Sequence, residues 1–574
     1  MTPNKLTTQQ LAPDFPIDID KLPNALPQSL LLGQERLTNT FQLSNKLTDQ
    51  HLFIADFIGI EREMLIDGLH QTIKTPEDQF LAASKNEDNE ISLQWHPAPA
   101  KEKIGILANK NKSHCYLSGV IKRSDLIGAT KNNNGTVNYQ PGALAKYHTV
   151  YICIESILER EGLWNLLLDI INDGYYRANQ SLEKVPLATK VVLVGSISYY
   201  AYLKNSDHRF SRHFPLLAEL NSEIDVTEHS EYDYLVWLKQ LNPTQKPITK
   251  NGYQQLLSYS SSLVEHQQRL SLSMSEMKHL LAQAAALTTK TEIDKDSISK
   301  AIAHKSVRHN LSEVYSAQNF DDKFIKLPTK GKMIGQVNGL TVIDTGDYSY
   351  GEPARITCTA HYGDGEVADI ERKSELGGNI HAKGMMILSS CLYRIFGRDA
   401  PLHLNANIVF EQSYQEIDGD SASVAEYCCL LSAISELPIS QSLAVTGALD
   451  QFGHVQAIGG VNEKITGFFN LCQRRGLTGE QGVIIPASNV LQLNLEPKII
   501  QAVADKQFHI YQVEHVDEVI ELLLQQVVGK ADDNNRFPAE TVYGKVQVRL
   551  DELAGEFVEE RTLFQRVLSR LGLI

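Results

Sequence analysis

An α/β fold joined to an α+β one is predicted for this chain, on three observations. Its 574 residues are enough for three or four domains. Short apolar runs such as Val191-Val192-Leu193-Val194 read as buried strands, and other stretches carry helical periodicity. Composition is that of an ordinary globular protein, 42% apolar and 21% charged, and no apolar run is long enough to span a bilayer.

The elements follow in order. Met-Thr-Pro-Asn-Lys opens a polar stretch without the apolar centre of a signal peptide, and residues 1–32 read as an N-terminal arm. His51 to Ala55 reads as a strand. Asn132-Asn133-Asn134-Gly135 reads as a surface loop. Thr149 to Ile154 is a second strand, ending in Glu155-Ser156, and Lys190 to Gly195 is a third. Residues 246–326 are helical, with Leu263, Gln267 and Leu270 in one pattern and Met277, Leu280, Leu281 and Ala284 in another. Leu327-Pro328-Thr329-Lys330-Gly331 reads as a linker. Beyond about Gly529 the chain is polar (Ala531-Asp532-Asp533-Asn534-Asn535), then helical from about Asp551.

The stretch between linker and tail carries chemistry. Ser421 opens a run in which Val424, Cys428, Leu431 and Ile434 recur at helical spacing, so it sits near a helix N-terminus. Free N–H groups there suit an oxyanion. Ser442 to Val445 reads as a short strand followed by Thr446. A turn at Asp450-Gln451-Phe452-Gly453 leads to a strand from His454 to Ile458. Gly459-Gly460 breaks it, and a helix begins that carries Lys464 in its first turn. A serine hydroxyl is a poor nucleophile until a base takes its proton. A lysine can do so only when neutral, and burial near a helix N-terminus pushes its pKa down. Thr446 can fix the amine with one hydrogen bond. The plainer readings are an N-cap serine and a solvated lysine.

Several ordered motifs between about Val337 and Leu524 resemble the proteolytic domain of Lon proteases, closest to the B-type branch. These are Asp418-Gly419-Asp420-Ser421-Ala422-Ser423, Val445-Thr446-Gly447, Gly459 to Lys464, Ile370-Glu371-Arg372 through Gly384, and Gly482-Val483-Ile484-Ile485-Pro486. The resemblance implies an α/β peptidase domain and a hexameric ring. It also implies Ser421 as nucleophile, Lys464 as general base and Thr446 as the group orienting it. Asp418 falls where this branch places an acidic residue near the dyad; a turn-forming aspartate beside Gly419 is the other reading. The implied substrates are unfolded proteins or peptides.

The upstream half resembles the AAA+ module of Lon-related proteases in a degenerate form. Leu32-Gly33-Gln34-Glu35-Arg36 and Asn138-Tyr139-Gln140-Pro141-Gly142-Ala143-Leu144 carry the likeness. A P-loop needs GxxxxGK[ST] after the first strand. The chain offers Asp56-Phe57-Ile58-Gly59-Ile60-Glu61-Arg62-Glu63, in which only Gly59 survives and Arg62 stands near the lysine position. Asp56, Glu61 and Glu63 would each repel a phosphate by about 4 kcal/mol at roughly 4 Å and an effective dielectric near 20. Glu155-Ser156 lacks the magnesium-holding aspartate. Arg209 and Arg212 fall where arginine fingers lie, or are solvated arginines.

The predicted organisation is therefore an arm (1–32), a degenerate AAA+ α/β module (33–245), a helical lid (246–326), a Lon-type proteolytic domain (327–528) and a tail (529–574). A net charge of −15 argues against a nucleic-acid partner. Seven scattered cysteines with no CxxC pair read as reduced thiols of a cytoplasmic protein, with no metal site. The activity expected is that of a serine endopeptidase that requires no cofactor. Two alternatives stand beside it: a noncatalytic ring-forming homolog, and a conventional ATP-dependent Lon protease using ATP and magnesium.

Overall fold

Strands buried on both faces by helices are apolar at nearly every position, and three of them form the centre of a wholly parallel five-stranded sheet in one half of the protein. The strand order is Leu216–Glu219, Leu52–Asp56, Lys190–Ser196, Tyr147–Cys153 and Lys112–Leu117. The three strands predicted from sequence are the central three, with bounds shifted by one or two residues. The computed structural model describes residues 4–23, 27–74, 76–85, 91–97, 106–133, 136–179, 182–244, 246–397, 402–414 and 416–555. It divides into two compact units: residues 15–264 with 269–301, and residues 1–14 and 265–268 with 302–574. The division falls within the helix Lys295–His309.

The first unit adds to its sheet the helices Lys250–Leu263 and Met274–Leu287. The helical pattern expected to run through Leu263, Gln267 and Leu270 breaks. The helix stops at Leu263, Glu265 takes a positive φ, and Leu270 lies in a strand, Arg269–Ser271, paired with Glu223–Asp225. Gln267 belongs to the second unit, where its side-chain amide donates to the carbonyls of Gln10 and Leu493. Asn132 and Asn133 close a hairpin strand, while Asn134 and Gly135 of the expected loop lie outside the described residues.

The second unit is an eight-stranded mixed sheet in the order Asn4–Lys5, His509–Val513, Gly482–Pro486, Leu443–Val445, Gln336–Asp344, Ser349–Tyr362, Leu404–Glu411, Val367–Asp369. Successive residues of a strand point to opposite faces. Accordingly Val445, Ile484 and Tyr511 join one core with the helix Ser423–Ser435, whereas Ala444, Val483, Ile485 and Ile510 join another with the helix Val461–Arg475. The sheet is thus covered on both faces, and the helices beginning near Ser421 and Lys464 lie on opposite sides of it.

Three expectations change here. The strand expected over His454–Ile458 is only Val455–Gln456, paired with Ala448–Leu449. The expected linker is packed in place: Arg475 donates to Leu327 O, Asn338 donates to Pro328 O, and Leu327 and Thr329 are buried. The described part of the tail turns helical at Val542, ahead of the expected Asp551, and residues 556–574 of the expected helix lie outside the described residues. Thr541 caps a helix, Val542–Leu553, whose Val542, Tyr543, Val546 and Leu550 complete the core over the helix Ser423–Ser435. Burial of such a face, at about 25 cal/mol per Å² of apolar surface, outweighs the polar character of the preceding stretch.

Candidate active site

Thr446 follows the carboxyl end of the strand Leu443–Val445, where parallel strands open a crevice between helices on opposite faces. Into this crevice come Ser421 from one face and Lys464 from the other. Lys464 Nζ is hydrogen-bonded to Ser421 Oγ at 2.8 Å and to Thr446 Oγ1 at 3.2 Å. Thr446 Oγ1 in turn donates to Ser421 O (3.2 Å), which also accepts from Gly447 N (2.8 Å). With its hydrogen spent on that carbonyl, the threonine oxygen presents a lone pair to the amine. Ser421 is half-buried, while Thr446 and Lys464 are almost fully buried. Burial drives the Lys464 ammonium down to about 8, and the charges of Asp420 and Glu463 only partly oppose it.

Backbone proximity sets the lysine. The helix Val461–Arg475 lies directly on the strand Ser349–Tyr362. A Cβ on Gly467 would stand 2.1 Å from Gly351 O, and one on Gly351 would stand 2.0 Å from Glu463 O. Neither glycine was singled out in the sequence. Gly460 opens this helix in the left-handed region at φ +65°, which favours glycine. Lys464 lies in the helix's first turn and Ser421 two residues before the helix Ser423–Ser435. The oxyanion expectation is corrected in one respect: the amides of Ser423 and Val424 already donate to Asp420 O and Gly447 O, so they are not free for a ligand.

Asp418 is placed away from the amine. Its Oδ1 accepts from the amides of Ile380, His381 and Gly419, at 3.0, 3.4 and 3.1 Å, and so tethers the loop before Ser421 to the start of the helix Asn379–Phe396. A Cβ on Gly378 would collide with this carboxylate at 2.4 Å. The acid whose charge reaches Lys464 from this loop is Asp420.

At the degenerate phosphate-loop position, Arg62 opens the helix Arg62–Gln71 and is engaged on every side. It donates to Asp56 (2.5 and 3.3 Å), Glu155 (3.3 Å, twice), Tyr116 Oη (3.2 Å) and Cys153 Sγ (3.3 Å). Burial opposes its charge, but the hydrogen bonds to Asp56, Glu155 and Tyr116 prevail and hold its pKa above the usual range. Glu155 is held below the usual carboxylate range: burial raises it, but the bonds from Cys153 and Arg62 outweigh that. Glu61 pairs with Lys278 at 2.8 Å. The repulsion expected from Asp56 and Glu61 is therefore corrected, because each carboxylate is neutralised internally. Gly59, at φ +109°, accepts at its carbonyl from Ser275 N, and a Cβ there would meet Ser273 Oγ at 2.3 Å. The start of the helix Met274–Leu287 thus fills the space against Gly59. These residues do not fit a magnesium–phosphate cradle, since the cation is committed and the glycine is covered. Arg209 is partly exposed and donates to Asp207, Asp169 and Asn165.

Comparison with known proteins gives a consistent picture. The Lon protease (S16) C-terminal proteolytic domain matches residues 330–526, the archaeal LonB AAA+ ATPase LID domain matches 247–308, and the LonB-like AAA domain matches 102–221. A Lon protease homolog of Escherichia coli is 34% identical over 428 residues, 71% of this chain and 72% of the relative. Another from Haemophilus influenzae is 36% identical over 70% of this chain and 69% of the relative. An archaeal Lon protease of Thermoplasma volcanium is 25% identical over 53% of this chain and 46% of the relative.

Proposed function

The chain belongs to the Lon protease family, and from that premise we propose that it is a serine endopeptidase working through Ser421 and Lys464 without ATP hydrolysis. The observation that carries this reading is the 2.8 Å approach of a buried lysine to the serine hydroxyl. Neutral Lys464 takes the Ser421 proton as Oγ attacks a peptide carbonyl. The resulting ammonium gives its proton to the leaving amine as the peptide bond breaks; water, deprotonated by the regenerated Lys464 amine, then attacks the acyl-enzyme, and the ammonium returns that proton to Ser421 Oγ as the acyl group leaves. Thr446 orients the amine throughout.

Support for an ATP-independent reaction comes from the engagement of Arg62 and the covering of Gly59. Substrates would then be chains that need no unfolding, namely unfolded proteins and peptides. We further propose a cytoplasmic homo-oligomer, hexameric as the family resemblance implies. All seven cysteines are unpaired, and no described helix is long and apolar enough to cross a membrane. The test is hydrolysis of unfolded casein with and without ATP, beside Ser421→Ala. Equal cleavage in both conditions, abolished by the substitution, is the expected result. Cleavage that depends on ATP would restore the conventional Lon reading, and none in either condition would favour a noncatalytic homolog.

A further inference from the structure

Behind the nucleophile lies a second buried polar group that the proposed reaction does not use. His381, on the helix Asn379–Phe396, places Nε2 3.2 Å from Asp369 Oδ2 and 3.8 Å from Glu426 Oε1. The geometry is that of an ion pair rather than of aligned hydrogen bonds. Asp369 ends the strand Val367–Asp369 and caps the short helix Ile370–Lys373, accepting from Glu371 N. Glu371 accepts from Phe410 N, and the Phe410 ring meets the imidazole edge-on. All four charged residues are less than a tenth exposed. Among the described residues no cluster is spaced to hold a metal ion.

His381 touches the chain on both sides of Ser421. Its amide donates to Asp418 Oδ1 in the loop before the nucleophile, and its ring faces Glu426 in the helix just after it. The same loop is strapped to this element by Ile417 N donating to Leu376 O and Gly378 N donating to Ile417 O. We propose that His381 is a positioning residue for the nucleophile: its imidazolium, held between Asp369 and Glu426, fixes the start of the helix Ser423–Ser435 and so the place of the Ser421 hydroxyl. This rests on the serine–lysine reading above.

The charges set the working range. Burial would lower the imidazolium, but Asp369, Glu426 and Glu371 outweigh it and hold His381 up at about 9. Burial raises Glu426 to about 7, with His381 opposing. The pair is thus intact across the range in which Lys464 loses its proton. Without His381, Asp369 still accepts from Glu371 N, but Glu426 Oε1, which has no hydrogen-bond partner, ionises at higher pH with no cation beside it, and a fully buried unpaired carboxylate forces the helix to move.

The experiment measures kcat and KM of the full chain on a short unstructured fluorogenic peptide from pH 6.5 to 9. Wild type, His381→Gln, His381→Gln/Glu426→Gln and Ser421→Ala are compared. In His381→Gln, kcat should stay near wild type at pH 6.5 and fall roughly 10- to 100-fold below it at pH 8.5, the scale on which small misplacements act. KM should change little, and the double variant should regain most of the loss by removing the stranded charge. An unchanged profile, or a loss equal at every pH that Glu426→Gln does not repair, would overturn the proposal while inactive Ser421→Ala left the dyad standing. Activity in Ser421→Ala would sink the dyad and this inference together.

Discussion

Each unit of this protein holds one cation, wholly or partly withdrawn from water, at the position its chemistry would use, and the two are treated in opposite ways. Lys464 meets two neutral hydroxyls, Ser421 Oγ and Thr446 Oγ1. No carboxylate bonds to it, so burial is only partly opposed, by the charges of Asp420 and Glu463, and its pKa falls to about 8. Arg62 meets two carboxylates, Asp56 and Glu155, and is held charged. An amine left without a counter-ion keeps a lone pair within reach and stays reactive. A guanidinium given two counter-ions becomes a strut, and a phosphate could enter only by displacing them. The same desolvation thus favours chemistry in one unit and closure in the other, depending on which neighbours are supplied.

The sharpest break in that comparison comes from the peptidase side. Ser421→Ala should lower turnover by roughly 10⁴-fold or more, as loss of a nucleophile does, with melting temperature unchanged. Lys464→Arg should be as inactive, because guanidinium stays protonated. In wild type, peptidase activity should rise with pH through about 8, since the neutral amine is the active form and its folded pKa lies there. A pH-independent rate over 6.5–9 or an active arginine variant would show that another base does the work.

Gly467→Ala tests whether backbone proximity holds the lysine in place. The new Cβ would lie 2.1 Å from Gly351 O, and a strand carbonyl cannot swing aside as a side chain can. The helix Val461–Arg475 must then move, carrying Lys464 from Ser421. A loss of about 10²-fold in kcat is expected, along with a lower melting temperature. Wild-type kinetics in this variant would mean that the lysine finds its place without the close helix–strand contact.

What could be read in the sequence tracks local patterns. Leu52–Asp56, Tyr147–Cys153 and Lys190–Ser196 announced themselves because strands buried on both faces are apolar throughout. Ser421, Thr446 and Lys464 were legible as motifs, though their convergence depends on a strand end between two opposed helices. Long-range partners were not legible. Asn4–Lys5 is a two-residue strand that pairs with residues near 512, and no local pattern marks it. Gly351 and Gly467 matter only because a strand and a helix more than a hundred residues apart touch there. His381 and Glu426 look like ordinary helix residues until the fold brings them to Asp369. The helix Val542–Leu553 was a missed signal: Thr541 stands at its cap and Val542, Val546 and Leu550 follow at helical spacing.

A smaller effect is expected from Thr446→Val. The variant keeps shape and removes the acceptor that orients Lys464, together with the bond to Ser421 O. One such hydrogen bond contributes about 0.5–1.5 kcal/mol, so kcat should fall roughly three- to tenfold with KM little changed. A loss as large as that of Lys464→Arg would make Thr446 a participant in proton transfer, not a support.

The least effect on peptidase turnover is expected from Arg62→Met, and it sharpens the comparison most directly. Arg62 is partly exposed and so is Glu155, but Asp56 is nearly buried and would lose its cation. Leaving that carboxylate without its partner should cost about 1–3 kcal/mol of stability after allowing for solvent screening. The loss should appear as a lower melting temperature of the full chain, with cleavage of an unstructured peptide unchanged. Calorimetric titration with ATP and magnesium should give no heat in wild type, because the guanidinium is already neutralised. Asp56→Asn with Glu155→Gln should release Arg62 and allow weak binding of phosphate-bearing ligands, since the charge would then face no carboxylate. ATP turnover in wild type that vanishes in Arg62→Met would reverse the assignment, making the arginine a nucleotide ligand and the two carboxylates its resting partners.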